Sequence, residues 1–393
     1  MRRIGFYLFI MAVFLLAPLL ALPQKAVPAP AAAPTPTPTA VVRAAAPYRA
    51  VWVSYLEWEQ VDFSSAEAFT QAIGTMLDNI QSIGATVVLA QVRPFGDALY
   101  PSGYFPFSHL CTGTQGQDPG FDPLALLVDA AHARDLQLEA WVNPYRIQAG
   151  QTPARLHPDW VRYTDTGAYL DPANADVRQY IADGVGELCA RYAVDGIHFD
   201  DYFYPTTDPA FDAADYAASG STRTQDDWRR ENVNALMELC HAAARRYGVR
   251  FGAAPAGDPE QNYTLQYSDA ARWLRQRTVD YLMPQLYWGQ EYIKNGDASH
   301  SFAQLAAAWA ALPRAAGVKL YAGLGAYRVG AGDGSDAGSE WFSGHALADQ
   351  LALLARLGVQ GAGLYRYGSL FANSGAPALA ESEAEAIKGV WQG

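Results

Sequence analysis

DGIHFDDYFYP, residues 195–205, begins with a turn pair, crosses a short apolar strand and ends in two adjacent carboxylates among aromatic rings. The strand is apolar on both faces except at His198, as expected of a parallel strand under a helical layer. Period-two alternation sets His198 and Asp200 on one face and Ile197, Phe199 and Asp201 on the other. Helices need the apolar face, so His198 and Asp200 are expected to point inward. Burying Asp200 costs free energy unless partners compensate.

Outward from this strand the pattern repeats. Amphipathic stretches at 175–193 and 225–247 flank it, and seven further apolar runs precede helical stretches between Tyr48 and the C-terminus. Eight such units predict an α/β fold, a single (β/α)8 TIM barrel over residues 48–393. A doubly wound open sheet is the alternative, but its edge strands would need charge or proline protection that none of the eight shows. No GxGxxG follows the first strand, and the glycine-rich GLGAYRVGAGDGSDAG, 323–338, lacks the GK[ST] of a phosphate loop and reads as a flexible loop.

The N-terminal end reads differently. Residues 1–22 carry Arg2 and Arg3 before an apolar run, the pattern of a secretion signal or an uncleaved anchor. Residues 23–47 alternate Pro with Ala and Thr and form an extended linker. Together they predict secretion or retention at the outer face of the cytoplasmic membrane, with membrane contact only through such an anchor. No acid occurs in the first 47 residues, which hold four cations. The formal charge is −12 overall, so the remainder carries −16. That excludes a default nucleic-acid footprint. Three scattered cysteines, Cys111, Cys189 and Cys240, offer neither a disulfide framework nor a thiolate metal site. No metal and no cofactor are expected, and the chain is expected to be a monomer.

The loops after the strands are long and chemically loaded, whereas the returns from helix to strand are short. Chemistry is therefore expected at one end of the fold. Gln91 and Arg93 share a face by alternation, as do Glu139, Trp141 and Asn143 on the next strand. Glu139 would sit beside His198, as an ion pair beneath the site or as a group that sets the proton affinity of Asp200. Gln285, Tyr287 and Trp288 close another strand. With Tyr104, Phe105, Tyr145, Trp160, Tyr202, Tyr204 and Trp341 they offer rings that stack on sugars, while acids and amides take hydroxyl groups. Hydrolysis of a glycosidic bond needs two carboxyl groups, one donating a proton and one acting as nucleophile or base. Asp200 and Asp201 diverge as neighbours, which leaves Asp97, Glu139, Asp258, Glu260 and Glu291 as sources of the second group. A non-catalytic glycan-binding protein and a metal-dependent hydrolase using His198 and Asp200 are the competing readings.

The segments QVRPFGDALYPSGYFPFS (91–108), GFDPLALLVDAAHARDLQLEAWVNPYR (120–146), HPDW (157–160), DGIHFDDYFYP (195–205), DDWRRENVN (226–234) and MPQLYW (283–288) resemble the glycosyl-hydrolase-like family 10 domain of bacterial envelope proteins. The resemblance implies a (β/α)8 barrel with glycosidase action on cell-wall glycan, peptidoglycan in one branch. It implies Arg93, Asp97, Asn143, Tyr145, Arg146, Asp200, Asp201, Gln285 and Tyr287 as site residues. Two departures stand out: Glu139 replaces a frequent His, and FGAAPAGDPEQNY, 251–263, is more polar than the usual pattern. Relatives are often lipoproteins, for which this chain lacks the cysteine.

Overall fold

The computed structural model describes residues 47–393 except 149–151, 202, 339 and 373. The signal or anchor expected at 1–22 and all but Pro47 of the linker expected at 23–47 lie outside the described residues, as does Tyr202. Thirteen strands are numbered in chain order: β1 (Tyr48–Val53), β2 (Val87–Arg93), β3 (Gln137–Val142), β4 (Arg146–Ile147), β5 (Val161–Thr164), β6 (Gly167–Leu170), β7 (Gly196–Phe199), β8 (Arg250–Ala253), β9 (Tyr281–Leu282), β10 (Gln285–Leu286), β11 (Lys319–Leu320), β12 (Ala322–Leu324) and β13 (Gly361–Leu364). Ten form one sheet in the order β10-β12-β13-β1-β2-β3-β7-β8-β9-β11, with every neighbouring pair parallel.

This corrects the closed eight-stranded TIM barrel. The sheet is an open half-barrel whose edges, β10 and β11, lie 12 Å apart. Two of the apolar runs, 279–288 and 317–327, are each broken into two short strands. Pro284 has no N–H to give to a ladder, so one run splits into β9 and β10 around Met283 and Pro284. Opposite it, Tyr321 separates β11 from β12. The Tyr321 N–H reaches the Leu282 carbonyl and the Gly323 N–H that of Pro284, both at 2.8 Å.

The two faces of the sheet divide the core. Val51, Val88, Ala90, Leu138, Ala140, Ile197, Phe199 and Phe251 pack with the surrounding helices. Tyr48, Trp52, Leu89, Trp141, Tyr281, Met283 and Tyr321 fill the concave side. Gly252 makes room there, since a Cβ at this position would lie 2.1 Å from the Tyr281 ring.

Side-chain caps fix where the loaded loops hand over to helices. Asp122, Asn174, Thr224, Asp258 and Ser301 each accept a backbone N–H from the first turn of the helix that follows. The long loop after β3 holds a small antiparallel sheet, β4-β6-β5. Its Asp165–Gly167 turn joins strands whose buried residues, Val161 and those at 168 and 170, fall at alternate positions.

Candidate active site

β7 ends at Phe199, and Asp200 follows it into the concave side, 3 % exposed. Trp141 donates its Nε1–H to Asp200 Oδ2 at 3.1 Å, and the Asn143 amide donates to the same oxygen. Asn143 Oδ1 accepts from Gln91 Nε2, and Gln91 Oε1 accepts the Tyr55 N–H at 2.8 Å. Two buried amides thus run from the end of β1 to the carboxylate. Each presents its donor toward Asp200. Gln91 and Asn143 consequently hold the acid in place, with the hydrogen-bonding atoms of Gln91 already occupied by protein.

Asp201 does not follow the alternation outward. It lies past the strand end, half-buried, and its two oxygens are held separately: Gln266 Nε2 donates to Oδ2 at 3.0 Å and Gln285 Nε2 to Oδ1 at 3.2 Å. Burial raises its proton affinity, against the lowering effect of both amides. The Tyr287 phenol faces both acids. Burial first, then the neighbouring Tyr365 and the charges of Asp201 and Asp200, push its pKa well above the ordinary value. Tyr287 stacks on Tyr365 with ring centroids 5.5 Å apart, and Tyr327 meets both rings edge-on. Tyr365 in turn faces Trp52 and Trp141 at 6.0 and 6.5 Å. Five rings therefore surround two adjacent carboxyl groups at the carboxyl ends of the parallel strands.

Beneath lies a second polar layer. His198 is fully buried, which depresses its pKa to about 3 and keeps the ring neutral. Its Nε2 accepts from Trp52 Nε1 at 3.2 Å, and its Nδ1 lies 2.7 Å from the Tyr281 hydroxyl. That hydroxyl donates onward to Glu139, so His198 carries its proton on Nδ1. Glu139 is paired with Arg250 at 2.7 Å. The ion pair expected between Glu139 and His198 is therefore replaced by a Glu139–Arg250 pair, with Tyr281 standing between acid and histidine. With both ring nitrogens taken, His198 supports Asp200 from below rather than binding substrate or a metal.

The shared face expected for Gln91 and Arg93 is absent. The β2–β3 register slips between them, and this bulge turns Arg93 toward the helices. Its guanidinium lies 4.2 Å over the Phe105 ring, beside Gly184, where a Cβ would come within 2.4 Å of that ring. Its Nη2 reaches only the Asn143 and Pro144 carbonyls, both at 3.4 Å.

Asp97 is buried in the following loop, 3.2 Å from His109 Nδ1 and in reach of Gln115. Tyr145, Tyr204 and Trp341 pack in the outer core, not along a groove. Tyr104, Phe105 and Trp160 gather around Tyr180 on an outer helix. Arg146 lies over Phe95 and Tyr55 at 4.5 and 5.6 Å. Trp288 is half-buried beside His300. Asp258 caps a helix and pairs with His300, while Glu260 and Glu291 are exposed.

Among the described residues, the structure thus brings together Asp200, Asp201, Asn143, Gln91, Gln285 and Tyr287. It adds Trp52, Tyr327, Tyr365 and Gln266, which the sequence reading did not select. Trp52 had a usable signal, since it shares strand parity with Tyr48 on the inner face. Gln266 had none, because it belongs to a loop with no periodicity.

Two neighbouring acids with aromatic side chains beside them at the ends of a parallel, helix-covered sheet fit the glycosyl-hydrolase class. The chain belongs to the Glycosyl hydrolase-like 10 family, whose sequence model matches residues 47–343. It is 35% identical over 316 residues to Glycosyl hydrolase YngK of Bacillus subtilis strain 168, a match covering 72% of this chain and 61% of that protein. It is 33% identical over 335 residues to Glycosyl hydrolase DigH of Escherichia coli K12, covering 73% and 75%. The chain thus spans less than two thirds of the length of the Bacillus relative. In fold it is similar to the glycoside hydrolase domain of PgaB from Bordetella bronchiseptica (TM-score 0.57, 14% identity, 88% of this chain and 99% of that one). The catalytic domain of β-amylase from Paenibacillus polymyxa is comparable (TM-score 0.55, 13% identity, 87% and 98%).

Proposed function

We propose that this is an exported hydrolase that cleaves glycosidic bonds of peptidoglycan or a related wall polysaccharide. The observation that carries the reading is a pair of neighbouring acids held by different donors. Asp200 accepts from Trp141 and Asn143 on one oxygen, which fixes its orientation. Burial raises the proton affinity of Asp201, which suits it to give a proton. Asp97, Glu139 and Asp258 are engaged by His109, Arg250 and His300, and Glu260 and Glu291 are exposed, so the second group in this reading is the neighbour: Asp201 protonates the leaving oxygen, and Asp200 acts as nucleophile or activates water. Tyr287, Tyr327 and Tyr365 supply ring surface for sugar faces, with the buried Trp52 and Trp141 behind Tyr365. The wall-glycan substrate is supported by the envelope-family resemblance and by the export pattern of residues 1–22.

The test is incubation with intact and with peptide-free glycan strands, followed by mass analysis of the product ends. Shortened strands with new reducing ends are expected. Unaltered strands of both kinds would reject the substrate, and glycan binding without cleavage would favour a binding protein on this fold.

A further inference from the structure

We propose that Gln266 is a positioning residue for Asp201, holding that carboxyl group in line for proton transfer and supporting its ionised form. The proposal rests on the reading of Asp201 as proton donor. Gln266 follows the helix Pro259–Leu265, outside the sheet that frames the other site residues. Its Nε2 and that of Gln285 each take one oxygen of Asp201, so the carboxyl group cannot rotate without breaking a bond.

The two amides are not equivalent. Gln285 Nε2 also donates to the Ala254 carbonyl at 2.9 Å, which ties it to the backbone beyond β8. Gln266 Oε1, by contrast, is buried and has no hydrogen-bond partner among the described residues. Among the described residues the bond to Asp201 is thus the hydrogen bond that fixes this amide, and its donor is turned toward the carboxylate. Among the described residues, the titratable groups facing Asp201 are Asp200 from its own strand end and Tyr287 from the end of β10.

The experiment is a carbon-13 carboxyl titration of the aspartate-labelled full chain, with the Asp201 signal identified by its loss in Asp201→Asn. Gln266→Met removes a donor to the ionised form and is expected to raise the Asp201 midpoint by about one pH unit. Gln266→Glu keeps the size but adds a like charge, and should raise it further. If Gln266→Met does not fold, Gln266→Glu decides alone. An Asp201 midpoint that stays in place overturns the proposal, whatever happens to thermal stability. Turnover of wall glycan is a separate measurement: its absence in the unsubstituted protein rejects the assigned reaction, while the midpoints still decide the role of Gln266.

Discussion

Asp200→Asn preserves the side-chain volume against Trp141 and Asn143 and removes the charge. Turnover is expected to fall by about 10²–10⁴-fold, with glycan binding and the thermal midpoint nearly unchanged. Retaining more than about a tenth of the rate would reject the role, a threshold set against that same range. His198 makes a different prediction. The unfolded chain protonates this ring below about 6.5, whereas the folded chain resists until about 3. Its contribution to stability is therefore complete above 6.5 and is lost progressively as pH falls toward 3. Between pH 7 and pH 5 that loss is about 2 kcal/mol. Asp201 and Glu139 work in the opposite sense, because their raised proton affinities favour the folded form at low pH. The comparison is thus with His198→Gln, whose urea midpoint should depend less on pH over this window. At this scale the sequence disclosed the inward carboxylate of Asp200 through strand parity. Parity could not place Asp201, since alternation ends where the strand ends; the family resemblance alone implied it.

The strands show what a two-residue period misses. A bulge between Gln91 and Arg93 turned an expected ligand into a helix-facing cation. A proline at 284 divided a continuous apolar run into two short strands. Both events are local, and neither disturbs the hydrophobic composition from which strands were inferred. Gly252 on β8 offers a test at this scale. Gly252→Ala places a methyl group into the Tyr281 ring, which joins His198 to Glu139. It is expected to destabilise the domain by about 1–3 kcal/mol, the usual cost of overpacking. Chemical denaturation measures the loss, and activity should fall with it as the support beneath Asp200 shifts. The helices were the most legible elements, because their apolar stripes agreed with side-chain caps such as Asn174 and Thr224.

For the whole molecule, the repeat of strand and helix announced a parallel sheet and its loaded end correctly. Closure was not readable, since it depends on how short strand pieces pair at the edges. β1 sits inside the sheet, paired with both β13 and β2. A chain starting at Pro47 should therefore melt with the full-length domain, while one starting at Ser54 should not fold; calorimetry of the two distinguishes them. The Glu139–Arg250 pair has a consequence for descent. A relative with His in place of Glu139 would leave a guanidinium at position 250 without its counter-ion. Such chains should have exchanged that arginine as well, so the two sites are expected to vary as a unit across the lineage.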